Sequence, residues 1–124
     1  MNLVDSSGWI HYFLNGSLIE RYATFIQKPD SVITPTVVLY EVYKKIRQET
    51  DEQQAVMAAS QMRKTQIIFL SDEMALAAAD ISVYYQLSMA DAMIYATAQS
   101  YGARLITSDA AFKSLPDVTY IPSE

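Results

Sequence analysis

Short apolar runs alternate along the chain with longer stretches whose apolar positions recur at helical spacing. Leu3-Val4 is a very short strand, followed by a helix from Ser6 to Leu14 that the turn pair Asn15-Gly16 closes. Ser17 to Gln27 reads as a second helix, broken at Lys28-Pro29-Asp30, and Ser31 to Thr34 as the next strand. From Thr36 a long helix places Val38, Leu39, Val42, Tyr43 and Ile46 on one side and Lys44, Lys45 and Gln48 on the other. A polar break from Glu49 to Gln54 leads into a helix ending near Lys64. The run Gln66-Ile-Ile-Phe-Leu70 is the strongest strand signal in the chain, compact, β-branched and aromatic. Asp72 to about Gln86 is helical and alanine-rich, and Ser88 opens a helix that Gly102 ends, where a left-handed cap belongs. Arg104 to Thr107 is a buried-type strand, Ala110 to Leu115 a short helix, and Val118 to Ile121 the last strand. Strands separated by helical crossovers predict a short, mostly parallel five-stranded sheet in a three-layer α/β/α domain spanning residues 1–124. In such sheets ligands sit beyond the carboxyl ends of the strands.

Composition narrows the chemistry. At 124 residues, 51% hydrophobic, the chain can bury roughly two-thirds of its unfolded surface without staples. It has no cysteine, which excludes disulfides, thiolate catalysis, zinc–thiolate sites and iron–sulfur clusters and suits a reducing compartment. No apolar run approaches the ~18 residues a membrane span needs, and Met-Asn-Leu-Val-Asp does not resemble a signal peptide. The expected location is therefore cytoplasmic, with no membrane partner. Nine Lys and Arg against 14 Asp and Glu give a formal charge of −5, which argues against gripping nucleic acid by global charge.

The acids carry the candidate chemistry. Asp5 ends the first strand, Asp109 follows the Arg104–Thr107 strand by one residue, Asp91 lies in the first turn of the Ser88 helix, and Glu41 lies in the long helix from Thr36. Each can face the carboxyl edge of the sheet. Taken singly, each has a plainer explanation. Asp5 and Asp109 precede helices and suit capping, Ser88-x-x-Asp91 matches a capping box, and Glu41 has Lys45 four residues on as a surface partner.

Taken together, Val4-Asp5-Ser6-Ser7, Val38-Leu39-Tyr40-Glu41-Val42, Ala90-Asp91-Ala92-Met93-Ile94-Tyr95-Ala96 and Leu105-Ile106-Thr107-Ser108-Asp109-Ala110-Ala111-Phe112 resemble, in order and interval, the PIN domain, specifically VapC-like toxins. No one of the four motifs is strong alone; the ordered set is specific and extends over the whole chain. The resemblance implies a Mg2+- or Mn2+-dependent endoribonuclease, cutting single-stranded RNA with activated water and no protein nucleophile. Asp5, Glu41, Asp91 and Asp109 would be the catalytic and metal-binding quartet, with Ser6 and Thr107 in support. It also implies a cognate antitoxin and a homodimer. Many members carry a basic residue between the threonine and aspartate of the fourth motif and another acid shortly after. Here those places hold Ser108 and Ala110-Ala111.

The donor chemistry agrees with that implication. With no Cys and a single His, a multidentate metal site in this chain is built of oxygen, which suits Mg2+ or Mn2+. Crowded carboxylates raise one another's pKa unless a cation offsets them. Neutralising Asp5 or Asp91 is accordingly expected to spare the metal-free fold. His11 reads as a partly exposed helix residue and Trp9, Tyr12 and Phe13 as packing or interface residues. Lys44, Lys45, Arg47, Arg63 and Lys64 are either phosphate contacts or a solvated face balanced by Glu49, Asp51 and Glu52. Tyr84-Tyr85 suits a protein-binding surface. Two alternatives remain: a non-catalytic PIN-like binding module, and a receiver-like signalling domain, which lacks here its acidic pair after strand one and its Lys after strand five.

Overall fold

Leu3 and Val4 are completely buried because the strand they form, β1 (Asn2–Val4), is the middle strand of the sheet. The computed structural model describes residues 1–123. The remaining strands are β2 (Val32–Pro35), β3 (Gln66–Ile68), β4 (Arg104–Thr107) and β5 (Val118–Tyr120). Their order is β3-β2-β1-β4-β5, and all four pairings are parallel, with Leu3 opposite both Ile33 and Leu105. Parallel neighbours need long crossovers, and the helices supply them. They are α1 (Ser6–Phe13), α2 (Ile19–Ile26), α3 (Thr36–Glu49), α4 (Glu52–Met62), α5 (Asp72–Tyr85) and α6 (Met89–Ser100).

Strand and helix faces meet in one core. Val4, Ile33, Leu105 and Ile106 of the sheet are covered by Trp9 of α1, Tyr22 of α2, Val38, Val42 and Ile46 of α3, and Ile94 of α6. The apolar stripe expected on the long helix is the buried face of α3, where Val38, Val42 and Ile46 are inside. Asp51 and Ser71 cap α4 and α5, and Gly102 closes α6 at φ +60°, a conformation a β-carbon would strain. No helix among the described residues is long and apolar enough to cross a membrane.

Two expectations are corrected. The strand expected to run to Leu70 ends at Ile68, leaving Phe69 76% exposed. β3 is an edge strand whose partner register stops at Pro35–Ile68, and β2 then turns directly into α3, so residues beyond Ile68 have no strand to pair with. The last short helix is a single 3₁₀ turn, Ala110–Phe112.

Candidate active site

Chain order runs outward through β1, β2 and β3, then returns to place β4 on the other side of β1. The β1–β4 boundary is therefore the point where the winding reverses and a crevice opens beyond the strand ends. The Asp5 amide donates across this boundary to Ile106 O at 2.9 Å. Asp5 leaves β1 and Asp109 leaves β4 there, while α3 brings Glu41 and α6 brings Asp91.

Asp5 is 2% exposed, and its carboxylate is fully engaged. Oδ1 accepts from the Ser6 amide at 2.8 Å and the Ser6 hydroxyl at 3.4 Å; Oδ2 accepts from Thr107 Oγ1 at 2.7 Å and Ser7 Oγ at 3.1 Å. Burial pushes the Asp5 pKa up, those donors pull against it, and the Glu41 charge adds to the rise. Thr107 Oγ1 also accepts from the Asp109 amide at 2.9 Å, so one hydroxyl fixes both aspartates.

Glu41 is half-buried, and its Oε1 is enclosed without a hydrogen-bond partner. The surface pair with Lys45 does not form, because Lys45 bonds Glu49 at 3.0 Å and Glu41 turns toward the other acids. Its pKa is raised first by burial, with the charges of Asp91 and Asp109 adding to the rise and the Ser6 hydroxyl opposing it. Asp91 is pushed up to about 6, again by burial first, then by Asp109 and Asp5, with Ser88 opposing. The four sequence-predicted acids thus act on one another electrically.

The capping explanations hold in part. Asp5 caps α1, and Asp109 Oδ1 accepts from the Ala111 amide at 2.9 Å. At α6 the cap is Ser88, whose Oγ accepts from the Asp91 amide, leaving the Asp91 carboxylate for the cleft. Among the described residues, no three acidic or histidine side chains stand close enough to form a metal cage by themselves.

Ser6 and Thr107 support Asp5 as expected, and the structure adds three residues. Ser7 Oγ donates to Asp5 and accepts from the Ser108 amide at 3.0 Å. Ser108 Oγ and the Tyr22 hydroxyl are 2.6 Å apart, and Tyr22 is completely buried. Tyr22 OH, Ser108, Ser7 and Asp5 form one chain of contacts from α2 into the cleft. Local sequence pattern carried no signal for the Tyr22–Ser108 contact, which joins residues 86 positions apart. Trp9 is core, His11 is partly exposed and stacks on Tyr22 at 6.2 Å, and Tyr12 and Phe13 pack against the core. Tyr84 is 80% exposed.

An all-parallel, twice-covered sheet with carboxylates gathered at its switch point defines the class: an α/β domain with an acidic, all-oxygen cleft. The chain belongs to the PIN domain family, which matches residues 3–118. A toxin–antitoxin complex from Klebsiella pneumoniae holds a chain 25% identical to it, with a TM-score of 0.80 over 96% of each chain. Mycobacterium tuberculosis VapC20, a sarcin–ricin loop cleaving toxin, is 20% identical and matches 98% of this chain and 100% of its own with a TM-score of 0.83. FitAcB from Neisseria gonorrhoeae is 18% identical, with a TM-score of 0.76 over 98% of each. Among curated proteins, none matches the chain in sequence.

Proposed function

We propose that this PIN domain is a metal-dependent endoribonuclease of the VapC toxin type, hydrolysing RNA phosphodiester bonds at Asp5, Glu41, Asp91 and Asp109. The observation that carries the reading is the electrostatic state of the cleft. Burial raises the proton affinity of Asp5, Glu41 and Asp91, the charges of the neighbouring acids add to it, and Glu41 Oε1 is enclosed with nothing to bond. A bound cation would supply the partner this buried carboxylate oxygen lacks. Hard oxygen donors of this kind suit Mg2+ or Mn2+, and a divalent cation would offset their mutual repulsion.

In this reading Asp5 and Asp91 would hold the cation, with Asp109 and Glu41 completing the set or orienting water. Bound there, a divalent ion supplies a lowered pKa for the attacking water and offsets charge on the phosphate. The chain's own part is positional. Ser6, Ser7 and Thr107 orient Asp5, the Ser6 hydroxyl only at 3.4 Å, and Thr107 sets Asp109 relative to it. Burial and the neighbouring acids raise the Asp91 pKa to about 6, so that below that pH a proton would compete with a cation for its carboxylate.

Several structural neighbours are toxin–antitoxin complexes, which supports an antitoxin partner; in this reading it would cover the cleft with a basic side chain. A homodimer fits the exposed Leu76, Val83, Tyr84 and Met89 of α5 and the start of α6. The cytoplasm is the proposed location. Thermal melting with and without millimolar Mn2+ tests the site: the wild type is expected to be stabilised and Asp91→Asn not. Equal behaviour of the two would refute metal binding at these acids, and incubation with total RNA followed by mapping of cut ends tests the nuclease. A non-catalytic module would leave RNA intact whatever the metal.

A further inference from the structure

Along α3, from Thr36 to Gln48, runs a groove of about 490 Å³ against α4, lined by the apolar and aromatic Leu39, Tyr40 and Tyr43 and by the cations Lys44, Arg47 and Arg63. We infer that this groove is a subsite for the single-stranded RNA on one side of the scissile bond, with Tyr40 stacking a base and the three cations holding phosphates. The inference deepens the nuclease reading and rests on it for the identity of the strand.

Charge decides in favour of nucleic acid. Among the described residues the one ion pair is Lys45 with Glu49, so Lys44, Arg47 and Arg63 keep their full charge for a ligand. Asp51, a candidate to neutralise this stretch, caps α4 through the Gln54 amide at 2.8 Å and, among the described residues, pairs with none of these cations. Tyr40 is 61% exposed, and Lys44 Nζ lies over its ring 5.7 Å from the centre, which sets a cation on one face of an exposed aromatic side chain. Cations with aromatic platforms are the pattern by which proteins hold single strands without reading sequence. Position agrees as well: Lys44 and Arg47 follow Glu41 by about one and two turns of α3, at ~4.5 and ~9 Å along the helix axis. Lys44 thus stands about one turn from Glu41, and Arg47 continues the positive rim of the groove beyond it.

A protein partner fits other surfaces better. The exposed Leu76, Val83, Tyr84 and Met89 lie on α5 and at the start of α6, a region with acids and no Lys or Arg. The groove joins apolar and aromatic residues to three cations outside any ion pair among the described residues.

The test uses the full chain and a fluorescein-labelled 12-nucleotide uridine RNA, read by anisotropy in EDTA at low salt, with cleavage kinetics measured separately in Mn2+. Arg47→Gln/Arg63→Gln is expected to weaken binding about tenfold and lower the salt slope by about 1.4, two phosphate contacts at ~0.7 each. Tyr40→Ala is expected to weaken it about fivefold or more with little change in salt slope. In cleavage both raise KM at unchanged kcat, the mark of binding lost equally in ground and transition states. Lys45→Gln, on the same helix but ion-paired, stays like the wild type. Wild-type affinity and salt slope in the groove variants would overturn the subsite. So would variants that change the oligomer's elution volume while binding RNA normally, since the groove would then be a protein interface. A wild type that binds through the groove but cleaves nothing would sink the nuclease reading and leave the subsite standing.

Discussion

At the scale of single residues, the four acids are not equivalent. Asp91 and Glu41 face each other's charge with few bonds, whereas Asp5 is embedded among four donors. Replacing Asp91 by Asn removes repulsion and leaves the metal-free protein as stable or slightly more so. Asp5→Asn turns an amide toward hydroxyls already committed as donors, at about 1–3 kcal/mol. That departs from the equal tolerance charge crowding alone suggests, and urea denaturation of both variants in EDTA measures it. Asp91 also sets a pH dependence. Its folded pKa of about 6 lies above the ordinary 3.8, so between those values the folded state holds a proton the unfolded chain has lost. Metal-free stability therefore falls as pH rises from about 4 to about 6. Asp91→Asn flattens that slope, as does saturating Mn2+, because a cation favours the ionised carboxylate. Equal slopes for the wild type and Asp91→Asn by thermal melting would disprove the assignment.

At the scale of elements, the Tyr22–Ser108 contact ties α2 to the turn after β4 that carries Asp109. Tyr22→Phe leaves the Ser108 hydroxyl without its partner and is expected to cost about 1–2 kcal/mol and to lower kcat more than KM rises. Gly8 of α1 matters to the same contact, since a β-carbon there would overlap the Tyr22 ring; Gly8→Ala is expected to cost about 1–3 kcal/mol by calorimetry. Neither residue was legible as a site residue. Tyr22 and Ser108 are 86 positions apart, and periodicity reports which face of an element is apolar, not which distant hydroxyl it meets. What local pattern does report was readable: the stripe of α3, the left-handed end of α6 at Gly102 and the acids at strand ends. The end of β3 was hidden because Phe69 and Leu70 suit a strand in composition, and only the register shows the partner running out.

At the scale of the whole molecule, the −5 formal charge misleads about partners. Four of the acids share one cleft, and setting them aside leaves −5 + 4 = −1. RNA affinity should therefore respond to divalent metal more steeply than to monovalent salt. Titrating Mn2+ at fixed ionic strength, with labelled RNA and a cleavage-deficient Asp109→Asn chain, checks this; affinity indifferent to Mn2+ would count against it.

The sheet is also open at both sides, yet each border strand, β3 and β5, is only three residues long. Pro116 and Pro122 flank β5, and neither offers an amide hydrogen to a passing chain. An incoming extended segment thus finds too few unpaired backbone groups to add itself as a further strand, so these borders resist templated aggregation even when the acidic cleft is loosened.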